Sequence, residues 1–127
     1  MSKSPLLLAA LAVACTAAAA QTSAPAGFPE DSAPPAAAEL RERLGGKVFN
    51  VKLADGASWR LEYKSNGYFF INTSRGFNDS GEWKVEDGRL CNKGRRIGET
   101  CHDVRVKGSE LYMKRDNGEI VQFVPQS

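Results

Sequence analysis

From Lys47 to Val124 the chain is a run of short alternating stretches, separated by turn signals too brief to hold a crossover. Parallel neighbours need a connection of a dozen or more residues, so consecutive strands here are expected to pair antiparallel. The stretches are Lys47–Leu53, Ser58–Tyr63, Tyr68–Asn72, Glu82–Glu86, Arg89–Asn92, Cys101–Val106, Leu111–Arg115 and Glu119–Val124. Asp55-Gly56, Ser65-Asn66-Gly67, Asp87-Gly88 and Asp116-Asn117-Gly118 are among the turns; glycine at such places accepts positive φ without a Cβ clash. About eight strands in one meander predict an all-β domain, a small antiparallel up-and-down barrel that leaves no open edge. A Greek-key β-sandwich is the alternative, because tight turns do not fix the later pairings. Ala36 to Leu44 holds helix formers and ends at Gly45-Gly46. It predicts one short N-terminal helix, with Leu40 and Leu44 plugging an end of the barrel.

The middle of the run can be read to the register. Glu82 to Glu86 alternates, Asp87-Gly88 turns, and Arg89-Leu90-Cys91-Asn92 returns. With Trp83, Val85 and Leu90 inward, Cys91 faces outward. On the following strand His102, Val104 and Val106 share one face and Cys101, Asp103 and Arg105 the other. Placing Cys91 opposite Cys101 also puts Leu90 opposite His102 and Arg89 opposite Asp103. One register thus gives an opposite-charge pair and a cross-strand disulfide together. Closing that loop contributes roughly 2–3 kcal/mol on the chain-entropy model. Two cysteines and one histidine fall short of the four ligands of a structural zinc site, and the spacing is not Cys-x-x-Cys.

Residues 1–20 read as a signal peptide: Lys3 is positive, Leu6 to Ala14 is apolar and too short to span a bilayer, and Ala18-Ala19-Ala20 precedes Gln21. Leu11-Ala12-Val13-Ala14-Cys15 resembles a bacterial lipobox, with Ala12 where leucine is usual, so lipidation at Cys15 is an alternative fate. Either fate removes Cys15 from the disulfide count. Residues 21–38 are rich in Ala, Pro and Ser and are expected to be a disordered linker. Residues 39–127 remain for the barrel domain.

A chain of 127 residues has room for one domain. Formal net charge is +2; loss of Lys3 leaves 16 basic residues against 15 acidic ones. Near-neutrality argues against nucleic acid as a partner.

Gly81-Glu82-Trp83-Lys84-Val85, Asp87-Gly88, Leu90-Cys91 and Cys101 together resemble a family of small secreted proteobacterial proteins of unknown function. That resemblance covers roughly Leu44 to Val124. It implies a lipocalin-like or avidin-like β-barrel in the periplasm or outside the cell, and it implies no particular activity.

Candidate binding residues are aromatic or basic. Trp59, Trp83, Tyr68 and Phe70, with His102, the one histidine, are candidates for a ligand pocket in the barrel. The plainer reading is that the aromatics are core and His102 a satisfied structural residue. Lys93, Arg95 and Arg96 sit inside the disulfide ring and are candidates for an anionic contact, or simply a solvated hairpin tip. The polar loop from Thr73 to Ser80 is the longest connection, where binding residues often gather. A nucleophile with a base, paired carboxylates or a metal cluster is not legible. The expectation is an exported, monomeric, non-catalytic binding module of the bacterial envelope. It would hold a small molecule or dock an envelope protein, use no cofactor, and touch a membrane only through a lipid on Cys15. An inhibitor of a secreted hydrolase and an enzyme with an unrecognised site are the alternatives.

Overall fold

The computed structural model describes residues 27–126. Its strands are β1 Lys47–Lys52, β2 Ser58–Tyr63, β3 Tyr68–Thr73, β4 Asn78–Glu86, β5 Arg89–Gly94, β6 Gly98–Lys107, β7 Glu110–Lys114 and β8 Ile120–Pro125. Each pairs antiparallel with its successor, and β8 returns to β1 to close an eight-stranded barrel. The expected meander is therefore present, and closure rules out the sandwich. Period-2 alternation explains the inside: Phe49, Val51, Leu61, Tyr63, Phe69, Leu90, Val104 and Phe123 form one buried cluster.

The register expected around the cysteines is the one observed. Arg89 faces Asp103, Leu90 faces His102, and Cys91 faces Cys101, and the two sulfurs are bonded. Cys91 lies on the outer face yet is buried. Lys84 on β4 reaches Glu99 on β6 (3.7 Å), across the outer side of β5.

Alternate turns lie at opposite ends of the barrel. Residues 64–67, 87–88 and 108–109 gather at one end, together with α1 Ala37–Leu44. Leu40 and Leu44 are fully buried there, so the helix plugs this end as expected. Ala36 offers no capping side chain. Instead the Asp87 carboxylate, from the β4–β5 turn, accepts the Ala37 N–H at 2.8 Å, the favoured arrangement for an anion at a helix start.

Part of the stretch expected as a disordered linker is ordered. Ala33 pairs with Val106 through two backbone hydrogen bonds (2.9 and 2.8 Å), and Gly88 N–H donates to the Pro35 carbonyl at 2.8 Å. This strap continues the β6 ladder where the short β5 has already ended, so its backbone groups find partners that composition alone could not reveal. The guanidinium of Arg105 lies over the Phe28 ring at 4.8 Å. Gly88 is doubly required: its φ is +71°, and a Cβ would meet Pro34 Cβ at 2.9 Å. The expected signal peptide, the first part of the linker and Cys15 lie outside the described residues.

Candidate functional site: the mouth of the barrel

The other end carries residues 53–57, 74–77, 95–97 and 115–119, and among the described residues no helix covers it. A cavity of about 360 Å³ opens there and runs into the barrel. This lies toward the small end of the range for small-molecule sites. Trp59, Leu61, Phe69, Ile71 and Met113 make its apolar wall, and Phe77, Ile97, Arg115, Asp116 and Asn117 contribute to its lining from the mouth side. Alternation explains the wall, because Trp59, Leu61 and Tyr63 on β2 face inward opposite Thr73, Ile71 and Phe69 on β3.

Two contacts organise the rim. The Arg115 guanidinium lies 5.0 Å from the centre of the Trp59 ring and pairs with the Glu119 carboxylate. His102 Nε2 stands 3.1 Å from Asp116 Oδ1, with the histidine nearly enclosed and Asp116 82% exposed. Three side-chain atoms, Tyr63 Oη, Asn92 Oδ1 and His102 Nδ1, are buried without a hydrogen-bond partner among the described residues. All three residues line this one cavity. Burial pushes the Tyr63 pKa well above that of an ordinary phenol, and the neighbouring Asn92 opposes that rise. Even so, no hydrogen bond joins them.

The β5–β6 turn at the rim is clamped from below. Asp79 is buried, and its carboxylate accepts the N–H groups of Ser80 (2.8 Å), Arg96 (3.1 Å) and Ile97 (3.0 Å). Burial alone would raise its pKa; hydrogen bonds from Ile97, Ser80 and Arg96 outweigh that and hold it below the usual carboxylate range. A Cβ at Gly94 would collide with this carboxylate, and one at Gly81, its ladder partner, would collide with the Lys93 carbonyl.

The sequence-predicted residues fall into separate places. Trp59 and His102 do line the cavity. Trp83 does not: it packs edge-on against Tyr63 (5.4 Å between ring centres) and donates its indole N–H to the Lys64 carbonyl near the plugged end. Tyr68 and Phe70 also stay out of it. In Tyr68-Phe69-Phe70 it is Phe69 that points inward, so its neighbours are outside, 48% and 38% exposed. They border an outer groove with Lys93 and Arg95, floored by Gly81 and Gly94. Arg96 is separate from that basic pair, stacked at 4.6 Å over Phe77 and donating to the Asn78 carbonyl. Tyr63, Asn92, Arg115 and Asp116 were missed. Their signal was available: Tyr63 and Asn92 are polar residues on otherwise apolar inward faces.

Among the described residues no three His, Cys, Asp or Glu side chains come together as a metal site, and no helix is long and apolar enough to cross a membrane. Comparisons with family models, with curated proteins and with solved structures find no match. Fold and site define a class: a small closed antiparallel barrel, plugged at one end, with an apolar-walled cavity open at the other. Of what the family resemblance implied, a β-barrel is present, and the disulfide is consistent with an oxidising compartment.

Proposed function

We propose that this protein is a non-catalytic binding module, exported to the cell envelope as a periplasmic, secreted or Cys15-anchored protein, that takes a small, mainly apolar molecule into the barrel mouth. One observation carries the reading: a cavity of about 360 Å³ combines aromatic and aliphatic walls with a few inward polar groups, the usual make-up of a ligand site. The non-catalytic part rests on two of the three hydroxyls that line the cavity, Thr100 being the third. Thr73 is committed to the backbone of Phe77 (2.8 and 2.9 Å), and burial holds Tyr63 in its protonated form. Export rests on Lys3, the apolar run and the Ala-rich cleavage site, together with the disulfide.

Titration with an apolar fluorescent probe such as an anilinonaphthalene sulfonate tests the pocket. Saturable emission at one site per chain, weakened by filling the mouth with Met113→Trp, is expected; emission that never saturates, or that Met113→Trp leaves unchanged, overturns it. Mass spectrometry of the protein from its native host tests export. The chain should begin at Gln21 or at a lipid-modified Cys15, and an intact Met1 start would refute the proposal.

A further inference from the structure

The three unpartnered atoms of the inner wall say what kind of molecule the cavity would hold, given its reading as a small-ligand site. Asn92 and His102 point inward from neighbouring strands, diagonal to each other in a ladder that pairs Leu90 with His102 and Asn92 with Thr100. Tyr63 comes from β2 and packs against Trp83, which is the ladder partner of Asn92. A buried polar group left without a partner costs free energy, so three on one cavity call for a partner that enters it, water in the empty barrel or the polar head of a ligand.

Their chemistry has a direction. Asp116 can only accept, so in the neutral imidazole the proton sits on Nε2 and the buried, unpartnered Nδ1 carries a lone pair. The Asn92 carbonyl oxygen is likewise buried and unpartnered, on a residue that lines the cavity. Tyr63 offers an O–H that donates or accepts. The unpartnered atoms of the inner wall are therefore two acceptors and one hydroxyl, with the Asn92 amide N–H beside them. The cation nearest the cavity, Arg115, is held at the rim by Glu119 and Trp59.

We propose that the ligand has a neutral head bearing an O–H or N–H donor, as in a phenol, alcohol or amide, which Tyr63, Asn92 and His102 read while its apolar body rests on Trp59, Ile71 and Met113. A carboxylate head meets the His102 lone pair and the Asn92 oxygen, and its charge finds only the neutral Tyr63 hydroxyl and Asn92 amide N–H as donors beside it. An ammonium head brings a charge to a wall without a carboxylate, since Asp116 stands at the rim in solvent.

A series with one body and four heads tests this on the disulfide-intact chain from Gln21 onward: naphthalene, 2-naphthol, 2-naphthoate and 2-naphthylmethylammonium, measured by calorimetry. The naphthol is expected to bind roughly tenfold tighter than the other three. Tyr63→Phe and Asn92→Leu, both close in volume to the native side chain, should each shrink the ratio of naphthol to naphthalene affinity. The inference is overturned if the naphthoate or the ammonium binds as tightly as the naphthol, if all four bind alike, or if both variants keep the preference. In those cases the cavity still binds and the small-ligand reading stands. Failure of all four to bind overturns both.

Discussion

Tyr63 and Asp79 are buried polar residues with opposite accounts. Asp79 has three backbone donors and stabilises the fold, whereas the Tyr63 hydroxyl has no partner among the described residues. Removing an unpartnered buried hydroxyl without changing shape should help folding. Tyr63→Phe is thus expected to stabilise the ligand-free protein by about 1 kcal/mol, seen as a midpoint raised by about 4–8 °C; a lowered midpoint would mean that the hydroxyl is satisfied in solution. Asp79→Asn should destabilise by about 2 kcal/mol near neutrality, because an amide replaces a carboxylate among three N–H donors. Its folded-state pKa is depressed, so this contribution is complete above the ordinary value of about 3.9. It is lost as pH falls through the lower folded value. Thermal midpoints measured against pH should show a constant gap between native and variant from neutrality down to about pH 4, narrowing only below it.

At the scale of elements, β5 and β6 were the most legible part of the chain. Asp87-Gly88, the alternation on both sides, the Arg89–Asp103 pair and the two cysteines all bear on one local register, and each agrees with the others. Cys91→Ala is expected to cost roughly 2–3 kcal/mol, a fall in midpoint of about 10 °C or more. Cys101→Ala should cost the same and the double variant little more, since one bond is lost in each case. Two reactive thiols on oxidised native protein would contradict the bridge. Other contacts were illegible because they join residues far apart in sequence. The helix is capped by Asp87, 50 positions after Ala37, and the strap finds its partner in Val106. The parity of Tyr68-Phe69-Phe70 was hidden for a different reason: three aromatics in a row give alternation nothing to distinguish. The cavity was half legible. Trp59 and His102 sit on faces that the pattern marks as inward, but only closure of the barrel brings Tyr63 and Asn92 to the same wall.

For the whole molecule, closure has a weak line. β1 and β8 share two ladder positions, Phe49–Pro125 and Asn50–Val124, extended by Gln126 N–H to the Val48 carbonyl at 2.9 Å. Pro125 has no N–H to give. The β4–β5 and β5–β6 ladders each have six paired positions, and a covalent bond crosses the second. Sub-global opening is therefore expected at the β1–β8 seam. Native-state hydrogen exchange should find shorter-lived protection for the seam amides of β1 and β8 than for those of β5; uniform protection around the barrel would show that it opens only as a unit.

The plugged end has one more property. The strap enters beside Val106, and β8 runs from the mouth-side turn back toward Val48, so the described chain comes in and goes out at the end away from the cavity. A linker, dye or solid support attached to either side therefore stays clear of the opening. Coupled to an electrode or an optical chip through Gln126, the barrel would stand with its mouth toward the sample, already oriented as the sensing element of a detector.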